Sequence, residues 1–320
     1  MRAIPAILMM GPTGVGKTGL AAELVARLPL EIISVDSAMV FRGMDIGTAK
    51  PDAELLARAP HHLIDLIDPS ESYSAARFVA DATRVMGEIH SRGRVPLLVG
   101  GTMLYFRALQ SGLAKLPAAD PAIRRQIEER AAVLGWPAMH GELQQLDPAA
   151  ALRIRPFDRQ RIQRALEVIE LTGKPISSQQ REDLRRAAPV RDLRLVMAPA
   201  DRKLLGEQLA LRFQEMMGRG LMDELRRLHA RGDLHADMPA LRLIGYRQLW
   251  AHLEGRMDLE EAVSRAIIAT RQLARRQLTW LRAEPGAEWI DAADPGLIDR
   301  VSARIDAWLA ARSESLEAWC

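Results

Sequence analysis

The feature that most restricts the fold of this chain is the eight-residue string GPTGVGKT at positions 11–18. It fits the pattern G-x-x-x-x-G-K-[ST], with an apolar run at 4–10 before it and an amphipathic stretch at 17–28 after it. A strand, a glycine-rich turn and a helix in that order form a loop whose backbone N–H groups face a phosphate. We therefore expect Lys17 to contact phosphate oxygens and Thr18 to offer its hydroxyl to Mg²⁺. The predicted diphosphate-binding residues are Gly11, Pro12, Thr13, Gly14, Val15, Gly16, Lys17 and Thr18.

Short apolar runs alternate with helical patterns through the first third of the chain, and this alternation predicts a parallel sheet with helices on both faces. Active sites in such folds lie at the carboxyl ends of the strands. Strand character returns later, and three helices are expected between the last two strands. The predicted strands are 4–10, 31–35, 95–99, 193–199 and 288–291, and the first helices are 17–28 and 75–91.

The segment 116–190 has a different character, because it is almost entirely helical in pattern and is punctuated by prolines. We therefore predict an α/β fold with a P-loop NTPase-like parallel sheet core and a mostly helical insertion domain. The core comprises residues 1–115 and 191–320, including helices near the C-terminus, and the insertion comprises residues 116–190.

Composition narrows the class of protein. The single cysteine, Cys320, cannot form an internal disulfide, and the apolar run at 6–10 is too short for the core of a signal peptide. A membrane span requires a run of about 20 apolar residues, and the sequence contains no such run. We expect a cytoplasmic protein with no membrane association and no obligate protein partner.

The motif alone does not fix the reaction at the phosphate. Asp36 is the acid that ends a core strand, whereas the strand at 95–99 runs into Gly100, Gly101 and Thr102. This pattern disfavours an NTP-hydrolysing motor or switch, which usually has a second acid at such a position. It favours an enzyme that releases diphosphate while one carboxylate serves the nucleophile. Asp36 as a general base and Asp36 as a turn or capping residue remain equal alternatives at this point.

Arginines are concentrated in three segments, 153–164, 242–247 and 271–282, with few acids between them. A solvated helix face would interleave glutamates, so these clusters indicate contact with nucleic acid. In the third segment, Arg271, Arg275 and Arg282 share one helical face. Aromatic residues are only 4% of the chain, so stacking platforms for bases must be few. His61 and His62 are expected to be structural, and Lys50 either reaches RNA phosphate or is solvated.

Several longer strings resemble, in order, successive blocks of the tRNA dimethylallyltransferase (isopentenyl-diphosphate transferase) family. The resemblance covers residues 6 to about 282, and Phe41, Met103 and Phe157 depart from residues common in the family. The strings are GPTGVGKT, ISVDSAMVFRGMDIGTAKP, PHHLIDLIDPSESYSAARF, VPLLVGGTMLYFRAL, DRQRIQRALEV, LRLIGYRQLW and ATRQLARRQLTWLR.

This resemblance implies a reaction. The family transfers a dimethylallyl group from dimethylallyl diphosphate to the exocyclic amine of the adenosine 3′ of the tRNA anticodon. Mg²⁺ is the cofactor expected from the Thr18 hydroxyl of the P-loop, with no zinc or iron. Asp36 then matches the catalytic base and Thr102 the threonine near the reacting amine, and the insertion would grip the anticodon stem-loop. The residues implied in tRNA binding are Asp36, Ser37, Ala38, Met39, Thr102, Arg124, Gln160, Arg161, Ile162, Gln163, Arg164, Arg242, Leu243, Ile244, Gly245, Tyr246 and Arg247.

Two other functions remain open from the sequence. A small-metabolite or nucleotide kinase has a similar P-loop and size, but it would turn over ATP and would need lid arginines around the transferred phosphoryl group. A P-loop module that binds RNA without catalysis is the second alternative.

Overall fold

A computed structural model of the chain describes residues 4–112, 116–179 and 192–317. The chain divides into two compact units, one of Met1–Phe106 with Val190–Cys320 and the other of Arg107–Pro189. The predicted boundary positions 115, 190 and 191 and the predicted lone thiol at Cys320 lie outside the described residues.

The first unit is built on a six-stranded sheet. Its strands are β1 (Ala6–Met10), β2 (Leu30–Val35), β3 (His61–His62), β4 (Val95–Gly100), β5 (Asp192–Ala198) and β6 (Glu288–Asp291). All neighbours pair in parallel, in the order β3-β2-β4-β1-β5-β6. The central strand β1 is buried along its whole length, as expected where helices cover both faces of a sheet. The predicted P-loop NTPase-like fold is confirmed.

The helices in the described parts of the chain include α1 (Lys17–Arg27), α2 (Ala53–Arg58), α3 (Ala75–Ser91), α4 (Met103–Ser111), α5 (Pro121–Leu134), α6 (Trp136–Leu146), α7 (Pro148–Ala151), α8 (Arg159–Thr172), α9 (Arg202–Gly218), α10 (Leu221–Ala230), α11 (Tyr246–Leu253), α12 (Leu259–Leu281) and α13 (Leu297–Glu317). Four helices, not the predicted three, lie between β5 and β6. The additional break follows from Gly220, whose φ of 95° is left-handed and separates α9 from α10.

The second unit is helical, and aspartates at the starts of its helices explain where they begin. Asp120, Asp147 and Asp158 each accept a hydrogen bond from a backbone N–H in the first turn of α5, α7 and α8. Prolines occupy the first position of α5 and α7, where their missing N–H costs nothing. The apolar faces meet in one cluster, which includes Ile127, Met139, Leu143, Ile162 and Leu166.

A buried carboxylate in the first unit organises the loop that follows β2. Glu224, only 2% exposed, accepts hydrogen bonds from the N–H groups of Asp45 at 2.8 Å, Ile46 at 2.7 Å and Gly47 at 3.2 Å. Its Oε1 also accepts a hydrogen bond from the Tyr246 hydroxyl, with an oxygen–oxygen distance of 2.5 Å. Because the Glu224 carboxylate lies among four donors, its burial is compensated and the loop at 45–47 is held against α10 and α11.

We predict that Glu224→Gln lowers the free energy of unfolding by about 1–3 kcal/mol, because an amide has one acceptor oxygen and turns a donor towards N–H groups that then lose their partner. Urea unfolding of wild type and variant measures the difference. Asp223→Asn is the matched control, since Asp223 is exposed and pairs with the exposed Arg226, and it should change stability by less than about 0.5 kcal/mol. Equal stability of the two variants would contradict the role of Glu224.

Candidate active site

Three loops of the first unit meet at one edge of the sheet, because each follows the carboxyl end of a parallel strand. β4 lies between β1 and β2, with Gly100 opposite both Met10 and Val35. The P-loop at 11–18 follows β1, Asp36 follows β2, and Thr102 follows β4. The sheet thus brings the predicted phosphate site and both predicted catalytic residues together.

The P-loop has the backbone expected of an anion cradle. Gly14 and Gly16 each have a φ of 85°, in the left-handed region that favours glycine. Lys17 begins α1, and its ammonium donates to the carbonyl oxygens of Gly11 at 2.9 Å and Pro12 at 2.7 Å. Burial lowers the pKa of Lys17 to about 8, although the negative charge of Asp36 acts in the opposite direction.

Asp36 and Thr102 are linked through the turn at 36–38. Asp36 Oδ1 accepts the N–H of Ala38 at 2.8 Å, and Thr102 Oγ1 accepts the N–H of Ser37 at 3.1 Å. Within the described residues no hydrogen bond reaches Asp36 Oδ2. One carboxylate oxygen is therefore used to orient the side chain, and the other is left to accept a proton.

Two adjoining cavities open at this edge. A polar cavity of about 340 Å³ lies over the P-loop and is lined by Lys17 and Thr18 among others. A larger cavity of about 470 Å³ has a mainly apolar wall that includes Leu209, Phe213 and Leu273. The residues that line both cavities are Thr13, Asp36, Thr48, Gly101, Arg212 and Gln277. The candidate base Asp36 is thus at the junction of the polar cavity over the P-loop and the mainly apolar one.

Thr48, Arg212 and Gln277 lie at this junction and were not predicted from the sequence. Gln277 joins two loops, since its Oε1 accepts the N–H of Thr13 at 2.9 Å and its Nε2 donates to the Gly101 carbonyl at 2.8 Å. Arg212 lies on α9 beside the buried Phe213, and burial lowers the pKa of its guanidinium while Asp36 acts to raise it. An arginine within an apolar helix face was the available signal for Arg212, whereas a single amide such as Gln277 in a helix leaves no signal in the sequence.

The third arginine segment contributes one residue to the larger cavity. This residue is Arg276, and the predicted phosphate contacts of Arg271, Arg275 and Arg282 stay a prediction. Arg271 donates through Nε to the Gly206 carbonyl at 2.9 Å. The helix α12 therefore turns Arg276 towards the cavity and uses Arg271 to bind α9.

Of the residues at 242–247 implied in tRNA binding, Arg242, Leu243 and Ile244 line the larger cavity. The Tyr246 side chain is 0% exposed and its hydroxyl is bound to Glu224, so it belongs to the core, and the contact with tRNA implied for Tyr246 stays a prediction. Burial and the charge of Glu224 raise the pKa of Tyr246 well above its usual range. Gly245, with a φ of 90°, allows the chain to turn directly into α11.

The residues of the loop that follows β2 also lie in different environments. Ser37 and Ala38 line the larger cavity and Met39 the polar one. Both interpretations of Lys50 are wrong, since its buried ammonium donates to Asp45 at 2.6 Å, to Asp65 at 2.5 Å and to the Phe41 carbonyl at 3.0 Å. Lys50 therefore stabilises this loop through its ion pairs and is not a phosphate ligand.

The two histidines differ from each other. His62 lies 2.9 Å from Glu31 through Nε2, as a structural residue would. His61 lines the polar cavity, although its Nδ1 is 2.7 Å from the Ala59 carbonyl. Burial lowers the pKa of His61, which favours the neutral ring.

In the helical unit, Glu167 orients two of the predicted arginines. It is 0% exposed and accepts from Arg124 Nε at 2.9 Å and from Arg164 Nη1 at 2.7 Å. Burial opposes ionisation of Glu167, but these hydrogen bonds bring its pKa below the usual value. Both arginine side chains remain partly accessible to solvent.

The other members of the 160–164 string do not share one environment. Gln160 and Arg161 are exposed, and Gln163 donates to Glu128 Oε1 at 2.9 Å. The Ile162 side chain is 0% exposed and belongs to the core of the unit, and the contact with tRNA implied for Ile162 stays a prediction. Helical periodicity explains this result, because one residue in such a turn must face the core.

Among the described residues, no group of three or more His, Cys, Asp or Glu side chains could hold a metal ion. None of the described helices is long and apolar enough to cross a membrane.

The chain is similar to known proteins along most of its length. The family model described as IPP transferase matches residues 39–284. A tRNA dimethylallyltransferase of Thioalkalivibrio sulfidiphilus is 58% identical over 306 residues, which is 95% of this chain and 96% of that protein. One of Thiobacillus denitrificans is 55% identical, over 96% and 98% of the two chains.

Solved structures are similar along nearly the whole chain. A full-length tRNA isopentenylpyrophosphate transferase of Bacillus halodurans is 37% identical with a TM-score of 0.72, over 98% of this chain and 99% of that one. A eukaryotic dimethylallyltransferase, described as acting on tRNA, is 25% identical with a TM-score of 0.78, over 97% and 79%. This chain therefore belongs to the IPP transferase family.

Proposed function

We propose that this chain transfers a dimethylallyl group from dimethylallyl diphosphate to the exocyclic amine of the adenosine 3′ of the anticodon in tRNA, with release of diphosphate. The observation that carries the proposal is the junction of the two cavities. A phosphate cradle, a carboxylate and an apolar wall lie side by side there, as attack by a nucleophile on an allyl diphosphate requires. Membership of the IPP transferase family supports the same reaction.

The leaving group is assigned to the polar cavity. Backbone N–H groups of the P-loop and the ammonium of Lys17 bind the diphosphate, and Arg212 adds a second cation from α9. Charge developing on the departing oxygen is thereby stabilised.

Mg²⁺ fits the donors of this cavity, because the Thr18 hydroxyl and the Asp36 carboxylate both line it and hard cations prefer oxygen ligands. Thr18 would hold the ion together with diphosphate oxygens. When bound, Mg²⁺ neutralises charge on the diphosphate.

The acceptor amine is assigned to Asp36 and Thr102. The amine nitrogen bonds to the first carbon of the allyl group as the bond from that carbon to the diphosphate oxygen breaks, and diphosphate leaves with the electron pair. Asp36 takes the proton that the nitrogen loses, through the oxygen that the Ala38 N–H leaves open. Thr102, whose hydroxyl oxygen already accepts the Ser37 N–H, orients the amine.

The apolar wall receives the five-carbon group. Leu209 and Phe213 on α9 and Leu273 on α12 line this side of the larger cavity. These side chains provide no nucleophile and exclude water, so the allyl carbon is protected from attack by water as positive charge develops on it.

Contacts with tRNA are assigned to both units. In the core unit, Arg242 and Arg276 line the larger cavity. In the helical unit, which we propose grips the anticodon stem-loop, Arg124 and Arg164 are oriented by Glu167 and Arg161 is exposed. Arginines held in this way are suited to phosphate oxygens.

Incubation of the protein with tRNA, radiolabelled dimethylallyl diphosphate and Mg²⁺, without ATP, tests the function. We expect label in one adenosine of tRNA, and we expect EDTA to abolish the transfer and excess Mg²⁺ to restore it. ATP turnover without labelled tRNA would indicate a kinase. RNA binding with neither reaction would indicate a non-catalytic module, and full activity in EDTA would contradict the role of Mg²⁺.

Asp36→Asn should lower kcat by about 10²–10⁴, because the amide keeps the shape of the side chain but cannot accept the proton. Single-turnover transfer at saturating substrates measures the effect, with affinity for both substrates largely retained. Asp52→Asn is the control, because Asp52 caps α2 and asparagine caps equally well. A near-normal kcat for Asp36→Asn would exclude Asp36 as the base.

The lowered pKa of Lys17 predicts a pH dependence. Only the protonated ammonium attracts diphosphate, so affinity for dimethylallyl diphosphate should be complete below pH 8 and weaken above it, by up to about tenfold per pH unit. Calorimetric titration between pH 7 and 9.5 measures this change. Lys17→Met should bind weakly with little pH dependence, whereas Lys174→Met, which alters an exposed lysine, should resemble wild type. An unchanged wild-type affinity up to pH 9.5 would refute the assignment.

A further inference from the structure

Phe157 differs from every other phenylalanine of the chain. Of the five phenylalanines, the other four are 5% exposed or less and belong to the core. Phe157 is 78% exposed. A large aromatic ring in water forgoes the free energy of burial, so a partner that covers the ring gains that free energy.

A tight turn presents this ring. The N–H of Asp158 donates to the Arg155 carbonyl at 2.9 Å, which closes a turn with Pro156 at its second position and Phe157 at its third. Proline restricts the backbone there. Asp158 then caps α8 by accepting the N–H of Arg161 at 3.3 Å. Because a closed turn and a capped helix hold both sides of Phe157, little backbone entropy is lost when the ring is covered.

Arginines flank Phe157 on both sides in the sequence. Arg155, Arg159 and Arg161 are exposed, and Asp158 is the one acid between 152 and 161. Other exposed apolar side chains of this unit, such as Val133 and Leu152, are aliphatic and lack a π-face. A ring among arginines matches a ligand that alternates flat apolar surfaces with negative charges, which is the pattern of single-stranded nucleic acid.

We propose that Phe157 is a stacking platform for an unpaired base of the RNA substrate, while the flanking arginines bind the adjacent phosphates. The inference rests on the proposed function for the identity of the RNA as tRNA. It adds a stacked base to the phosphate contacts proposed for the arginines of the helical unit, and it assigns that contact to an unpaired nucleotide because bases within a helix have no free face.

Binding of two RNAs separates stacking from charge. The probes are an anticodon stem-loop and a fully paired hairpin stem of equal phosphate number, measured by fluorescence anisotropy over a range of salt concentrations. Phe157→Ala and Phe157→Leu should each weaken binding of the stem-loop by about tenfold and leave the paired RNA nearly unchanged. Phe157→Tyr, which retains the ring, should bind like wild type, and so should the matched control Leu152→Ala.

The salt dependence gives an independent readout. Phe157→Ala should leave the slope of log affinity against log salt unchanged, since no charge is lost, whereas Arg161→Ala should reduce it by about one unit. Wild-type affinity of Phe157→Ala for the stem-loop, or an equal loss for both RNAs, would overturn the proposal. So would a change in sedimentation of Phe157→Ala without a change in RNA affinity, since it would mean that a second copy covers the ring. Absence of labelled product with the wild-type protein would refute the proposed reaction and leave this binding result interpretable.

Discussion

The site depends on how closely neighbouring parallel strands approach one another at their carboxyl ends. A Cβ atom added at Gly100 would lie 2.0 Å from the Val35 carbonyl oxygen, and one added at Gly11 would lie 2.4 Å from that of Met197. Only glycine fits at such distances. Because β4 meets β2 at Gly100, and the start of the P-loop meets β5 at Gly11, without side chains between them, the P-loop, Asp36 and the turn before Thr102 share one edge.

Helices that come much later in the chain complete this edge. Gln277 on α12 joins the P-loop to the Gly101 carbonyl, and Glu224 on α10 holds the loop at 45–47. That loop continues into Thr48 and Ala49, which line the larger cavity. The cavity is thus formed by contacts between residues far apart in the sequence. A substitution on α10 or α12 can therefore change the wall of the cavity without touching a substrate.

Strands β1, β2, β4 and β5 could be predicted from the sequence because they are mainly apolar runs, and the P-loop because its glycine spacing has one structural explanation. The two-residue strand β3 was not predicted, because a pair of histidines has no strand pattern. The burial of Tyr246 and Ile162 could not be predicted from the motif strings that contain them, because part of any helical string has to face the core. Gln277 acquires its role from Thr13 and Gly101, which are far from it in the sequence, and such a pairing leaves no local pattern. Lys50 is buried only once the surrounding loop has folded around its ammonium.

The central claim is that one junction holds diphosphate on one side and the acceptor amine on the other. A crystal structure with an anticodon stem-loop and a thiodiphosphate analogue, whose carbon–sulfur bond resists cleavage, tests it directly. We predict the diphosphate on the P-loop N–H groups and the adenosine amine within about 2.6–3.2 Å of Asp36. An amine bound away from Asp36, or a diphosphate bound outside the P-loop, would contradict the account.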